Sequence, residues 1–195
     1  MSQTIDAPSW DLADLYAGLD DPRIAADLNA ALGAAKAFAE TYRGKLVALA
    51  AEAQGGEALA AAIAAYESLG DRTGRIAAYA GLSFAARSSD AAVAKFYGDM
   101  QDRLSEAGSQ TLFFELELSL IPDGDLSAAM GRSPALARYR PWLETVRAFR
   151  PHQLSEDMER LLYEKDLTGP SAWSRLFDEA IAGLRHEVRG HPRGN

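Results

Sequence analysis

The string HEVRGH at residues 186–191 is the part of the sequence that most resembles a metal site. A zinc-peptidase helix carries H-E-x-x-H, whose histidines stand four residues apart and return to one face after about 400° of rotation. Here His186 and His191 stand five residues apart, about 500°, which points them away from each other on a regular helix. Pro192 also disfavours a helix through the second histidine. We therefore predict no metal ligand here and a solvated, disordered tail.

Acid–base chemistry has two further candidates, His152 and the pair Glu115 and Glu117. His152 follows a proline and would need a partner within hydrogen-bond reach, which the sequence does not supply. Two residues apart on a helix, the two glutamates face different directions and cannot share a proton. The sequence also lacks the phosphate-binding G-x-G-x-x-G and P-loop patterns and the nucleophile pattern G-x-S-x-G. We predict no catalytic, metal-binding or cofactor-binding residue in this chain.

Several aromatic residues recur at helical spacing and could line a ligand groove, although such residues more often form a core. They are Tyr66, Tyr79, Phe84, Phe96, Phe113 and Phe114.

The composition limits the possible functions. The 195 residues carry a net charge of −8 and no cysteine, which excludes disulfides, thiol nucleophiles and cysteine-bound metals. An acidic chain without a basic block is a poor nucleic-acid binder. There is no basic N-terminal segment followed by an apolar run, and no stretch of about 20 apolar residues that could span a membrane. We expect a cytoplasmic protein with no nucleic-acid or membrane partner.

The elements that would position these residues are all predicted to be helices. Asp20 and Asp21 before Pro22 are typical of a helix start, and an apolar stripe then runs to a stop at Gly44. A second long helix is predicted after residues 55–56. Its glycines at positions 70, 74 and 81 weaken it and permit close helix packing.

A third long helix follows the cap at Asp90. Residues 111–120 also alternate with a period near two, and we favour helix there because the upstream helical phase continues. Shorter helices are predicted over residues 139–149, after a cap at Ser155, and over residues 171–185. The predicted fold is all-α, with three long antiparallel helices followed by shorter helices.

Several strings in this order resemble the oligoendopeptidase F family, zinc metallopeptidases related to thimet oligopeptidase. The opening string WDLADLY at residues 10–16 is similar to the start of the family, and the most specific similarity lies in YRPWLETVRAFRPHQLS at residues 139–155. It continues through LLYEK at residues 161–165 and AWSRLFDE at residues 172–179.

The resemblance implies an all-helical N-terminal region that roofs a channel admitting short, unfolded peptides. The family's catalytic domain follows this region and binds zinc through an H-E-x-G-H helix and a later glutamate. The chain stops before such a motif, so no catalytic or zinc-binding residue is carried over. We expect a helical region over residues 1–185, a disordered tail over residues 186–195, and a truncated, frame-shifted or split gene.

Three functional hypotheses follow, in descending order. The chain is the N-terminal, non-catalytic part of a zinc-dependent oligoendopeptidase, inactive alone, with oligopeptides and a catalytic domain as partners. Alternatively, it is a stand-alone helical module that binds peptides or proteins without cleaving them. The third hypothesis is a small metal-dependent enzyme built on His186, Glu187 and His191.

Overall fold

A computed structural model describes the backbone of residues 10–188 and 191–194 and the side chains of residues 10–184. The described residues form ten α-helices, one short 3-10 helix and two strands. The helices are α1 (Pro22–Tyr42), α2 (Leu46–Ala51), α3 (Gly55–Ala86), α4 (Ala91–Thr111), α5 (Phe113–Leu120), α6 (Asp123–Arg132), α7 (Pro134–Ala137), α8 (Arg140–Ala148), the 3-10 helix (Arg150–His152), α9 (Glu156–Asp166) and α10 (Pro170–Gly183). The strands are β1 (Arg185–Val188) and β2 (His191–Gly194).

The predicted all-α class is confirmed, and the three long helices α1, α3 and α4 pack on one another. Ile24 near the start of α1 shares a cluster with Tyr79 near the end of α3, and Tyr79 contacts Phe96 near the start of α4. Consecutive long helices are therefore antiparallel, as predicted, and α1 and α4 run in the same direction.

Asp21 caps the N-terminus of α1, as the sequence predicts. The Asp21 carboxylate accepts a hydrogen bond from the Arg23 backbone N–H at 2.9 Å and another from Ala17 N–H at 2.8 Å. The first bond satisfies a donor at the helix N-terminus, where the backbone N–H groups lack helical partners. After α1, Gly44 adopts a φ of 75°, the left-handed conformation that glycine favours, and ends the helix there.

Helices α2 and α5–α8 pack around the first half of α3 and form the larger of two apolar cores. Its fully buried side chains include Leu46, Leu59, Phe113, Phe114, Leu118, Ile121, Leu136 and Leu143. At its edge α3 begins very close to α2 and α6. A Cβ atom at Gly55 would lie 2.0 Å from the Leu49 carbonyl oxygen, and one at Gly56 would lie 2.5 Å from the Ala129 carbonyl oxygen. Glycine is therefore required at both positions.

Three local predictions need correction. Ser155 precedes α9, but its side chain makes no capping hydrogen bond. The third predicted helix is divided at Leu112 into α4 and α5, although the helical prediction for residues 111–120 is confirmed over Phe113–Leu120. No atom lies within 4 Å of a Cβ placed at Gly70, Gly74 or Gly81, so these glycines do not mediate close packing.

The C-terminal segment forms a two-stranded antiparallel sheet in place of the predicted disordered tail. Arg185 pairs with Gly194, and Val188 pairs with His191. The string at residues 186–191 therefore has extended backbone in its described part, because backbone pairing competes with the helix that the zinc-peptidase pattern requires. Its side chains lie outside the described residues, and the domain division at residue 185 stays a prediction.

Within the part of the chain that the structure describes, no helix is both long enough and apolar enough to span a membrane.

Candidate functional site

A cleft lies between α3, α4 and α9, and we call it the main cleft. Its volume is about 640 Å³, and Trp142 of α8 contributes to one wall. A second cavity of about 410 Å³, the side cavity, shares Tyr66, Gly108, Thr111 and Tyr163 with the main cleft. Volumes in this range are typical of pockets for small-molecule ligands.

Small residues at helical spacing create the main cleft. Gly70, Thr73, Gly74 and Ala77 recur at three- and four-residue steps on one face of α3. Because residues at this spacing lie along one helix face, their short side chains leave a continuous strip of empty space. The facing strip on α4 is also mostly small or uncharged, with Gln101, Leu104, Ser105, Ala107, Gly108 and Thr111.

Helix α9 closes the third side of the cleft. Glu159, Tyr163 and Asp166 stand at positions i, i+4 and i+7 of α9, so they share the face that borders the two cavities. The Tyr163 side chain lies against the backbone of α4, because a Cβ at Gly108 would come within 1.9 Å of its hydroxyl oxygen. Gly108 is thus the position that lets α9 approach α4 closely.

Arg43 attaches α9 to the long helices. Its Nη1 donates to Glu156 Oε1 at 2.8 Å and its Nη2 donates to the Gln110 carbonyl oxygen at 3.0 Å. The guanidinium also lies 4.9 Å from the centre of the Phe113 ring, within the range of a cation–π contact. Arg160 donates to the same Glu156 oxygen at 2.5 Å. These contacts fix the face of α9 that borders the cavities.

Two tyrosines of the cavities are held in the neutral, hydrogen-bond-donating form. The Tyr66 hydroxyl donates to Glu115 Oε1 at 3.0 Å. Burial, together with the negative charge of Glu115, raises the pKa of Tyr66 well above its usual value. Burial, together with the charge of Asp166, likewise raises the pKa of Tyr163.

The predicted acid–base candidates do not form a catalytic pair. Glu115 accepts from Tyr66, whereas Glu117 accepts from the backbone N–H groups of Gly44 at 2.5 Å and Leu46 at 3.3 Å. The two glutamates therefore face different elements, as predicted from their spacing. His152 is exposed and lines the side cavity together with Glu115, but no described side-chain hydrogen bond orients it.

The aromatic candidates divide between core and cavity. Phe113 and Phe114 are fully buried, and Tyr79 and Phe84 are nearly so. Tyr66 is the exception, since it lines both cavities and its ring centre lies 6.2 Å from that of Trp142. Trp142, Tyr163 and Asp166 were not identified as site residues from the sequence. The spacing of small residues on α3 and of polar residues on α9 is the signal that could have indicated them.

No described group of three or more His, Cys, Asp or Glu side chains could hold a metal ion. The donor set within residues 10–184 therefore does not fit a zinc site, and no chemical step is assigned to zinc here.

Comparison with known proteins gives one family. Residues 117–186, from within α5 to the start of β1, match the family model described as oligopeptidase F, for the N-terminal part of M3 peptidases. No curated protein matches the chain, and no solved structure matches it. This match supports the resemblance to the oligoendopeptidase F family over residues 117–186.

Proposed function

We propose that this chain is the N-terminal, non-catalytic part of a zinc-dependent oligoendopeptidase and that it shapes the channel through which short peptides reach a catalytic domain. The observation that carries the proposal is the match of residues 117–186 to the oligopeptidase F family model. The proposal gives this chain a role in peptide access and none in bond cleavage, because its sequence carries no H-E-x-x-H pattern.

The surface of α9 and α10, inside the matched segment, supports a second part of the proposal. Neither helix buries a residue, and Trp173, Phe177 and Leu176 are 71%, 65% and 54% exposed. Apolar side chains grouped on one exposed surface are typical of a region that packs on further polypeptide. We propose that this surface, the α9–α10 face, contacts the catalytic domain.

A complementation assay tests the proposal. The catalytic part of an oligoendopeptidase F, expressed without its own N-terminal region, is mixed with this chain. Hydrolysis of an internally quenched octapeptide and of a long unfolded polypeptide is then measured. We expect no hydrolysis by the chain alone. On mixing, we expect hydrolysis of the short peptide to be favoured over the long polypeptide, since the chain narrows access.

A variant and its control make the assay specific. Trp173→Glu with Phe177→Glu places two charges on the α9–α10 face and should abolish association with the catalytic part. Ser174→Glu adds the same kind of charge at a neighbouring exposed, polar position and should leave association unchanged. Unchanged hydrolysis of both substrates after mixing would overturn the channel role. Peptide binding without association would then favour the stand-alone binding module.

A further inference from the structure

The charges around the main cleft are all of one sign. Glu67 and Asp166 line the main cleft, and Glu115 and Glu159 line the adjoining side cavity. No lysine or arginine is among the described residues that line either cavity. Arg160 of α9 borders a different cavity, together with Arg43 and Lys36, and is paired with Glu156.

Each of the four carboxylates has a neutral partner. Glu67 Oε2 accepts from the Tyr139 hydroxyl at 2.7 Å, and Glu159 Oε1 accepts from the Leu154 backbone N–H at 2.8 Å. Glu115 accepts from Tyr66, and Asp166 accepts from the Ser171 hydroxyl. None of the four takes part in an ion pair among the described residues, in contrast to Asp21, Asp123 and Glu156. Within the described structure these four carboxylates are therefore held by neutral donors rather than by cations.

Aromatic rings stand beside these carboxylates. The half-buried rings of Tyr66 and Trp142 are inclined at 36° to each other, and Tyr163 lies across the cleft on α9. A cation is attracted to the face of an aromatic ring, most strongly to tryptophan. The small residues of α3 and the side chains of Leu69 and Leu104 offer an apolar wall, which suits the methylene stem of a long basic side chain.

From this arrangement we propose that the main cleft binds an oligopeptide through an arginine or lysine side chain, with the cation among Tyr66, Trp142, Glu67 and Asp166. The inference deepens the proposed function and rests on it in taking a peptide as the ligand. It assigns a preference for basic peptides to a region to which the proposed function gives no part in hydrolysis.

The test is direct binding to the full chain, with no catalytic part present. The probe is a fluorescein-labelled, capped hexapeptide with two arginines among alanines and leucines, followed by fluorescence anisotropy. The matched peptide carries citrulline, which keeps the shape of arginine without its charge. We expect the citrulline peptide to bind about tenfold more weakly, and the affinity of the arginine peptide to fall as salt is added.

Chain variants then locate the site. Glu67→Gln with Asp166→Asn keeps the shapes of both side chains at exposed positions. This double variant should bind the arginine peptide about tenfold more weakly, and its melting temperature should equal that of the wild type. Glu57→Gln with Asp102→Asn makes the same charge change at exposed positions outside both cavities and should not alter binding. This control matters because a chain of net charge −8 attracts any cation weakly.

The outcomes separate this inference from the proposed function. Equal binding of the arginine and citrulline peptides, or equal weakening by the two double variants, would overturn the inference alone. If the basic peptide binds at the main cleft but mixing with a catalytic part leaves hydrolysis unchanged, the proposed function fails and the cleft assignment stands.

Discussion

At the scale of single residues, buried Tyr16 makes the stability of the folded chain depend on pH in the alkaline range. Its side chain is 1% exposed, and its hydroxyl donates to Asp27 Oδ2 at 2.9 Å. Burial, followed by the hydrogen bond to Asp27 and the charge of Asp27, raises the pKa of Tyr16 to about 12. The folded chain therefore keeps a proton that the unfolded chain releases near pH 10, its ordinary value.

The free energy of unfolding should consequently decrease as the pH rises from about 10 towards about 12. The measurement is urea denaturation at a series of pH values, with Tyr16→Phe as the comparison. At neutral pH the free energy of unfolding of the variant should be lower than that of the wild type by about 0.5–1.5 kcal/mol, the typical net contribution of one hydrogen bond. Above pH 10 the free energy of unfolding of the variant should decrease less steeply with pH than that of the wild type. Parallel curves for the two proteins would show that Tyr16 does not carry this pH dependence.

A second residue-scale prediction concerns Gly108 and the attachment of α9. Gly108→Ala puts a methyl group within 1.9 Å of the Tyr163 hydroxyl oxygen, so the tyrosine must move away from α4. Hydrogen exchange of the backbone N–H groups in Glu156–Asp166 should become faster.

Gly81→Ala is the matched control for this prediction, because no atom lies within 4 Å of its new methyl group. It should stabilise α3 by about 0.5–1 kcal/mol and leave exchange in α9 unchanged. Unchanged exchange in the Gly108 variant would contradict the close approach of Tyr163.

The contrast between Gly108 and Gly74 shows what the sequence could predict about single residues. Both are glycines within long helices, yet one accommodates a tyrosine and the other borders empty space. The difference depends on the neighbouring helix, which local sequence does not specify. The opposite directions of Glu115 and Glu117 were predictable, because helix geometry alone determines them.

At the scale of elements, Arg147 of α8 holds the C-terminal end of α5. Its Nη1 donates to the backbone carbonyl oxygens of Leu118 at 3.1 Å, Ser119 at 3.3 Å and Ile121 at 2.8 Å. It also pairs with Asp123 at the start of α6. The last carbonyl groups of a helix have no helical partners, so a partly buried cation there satisfies several of them together.

Arg147→Ala should therefore destabilise the chain by about 2–3 kcal/mol, because buried acceptors lose a charged donor. Arg147→Lys should recover part of the loss, since an ammonium group keeps the charge but not the fork of donors. Thermal and urea unfolding would measure both effects. Arg138→Ala, at an exposed position, is the control. If Arg147→Ala lowers the free energy of unfolding no more than Arg138→Ala does, the capping role is contradicted.

The long helices could be predicted from the sequence, whereas several of the short helices could not. The long helices α1, α3 and α4 span enough turns for an apolar period to be recognised, and their boundaries carry capping aspartates or glycines. The short helices α2, α6 and α7 were not predicted. Helices of four to ten residues are marginal in isolation, and these three are stabilised by packing on α3.

At the scale of the whole molecule, apolar burial is unevenly distributed. The helices α1–α8 enclose two cores, whereas α9 and α10 contain no buried residue. A helix was predicted over residues 171–185 and is present as α10, but its sequence does not specify what covers its apolar side chains. The main cleft was not predicted for a related reason, since it arises where α9 meets α3 and α4.

The α9–α10 face should therefore promote self-association when no further polypeptide covers it. Light scattering after size-exclusion chromatography should show a mass that increases with concentration above that of a 21.0 kDa monomer. Trp173→Glu with Phe177→Glu should shift the population towards monomer, whereas Ser174→Glu should not, because only the first pair removes apolar contact area. Melting temperatures should remain close to that of the wild type in both variants, since neither substituted side chain belongs to a core. A chain that stays monomeric at high concentration would show that the exposed apolar area is too small or too divided to form a contact. The same result would weaken the proposal that this face meets a catalytic domain, because both depend on the free energy released when Trp173 and Phe177 leave water.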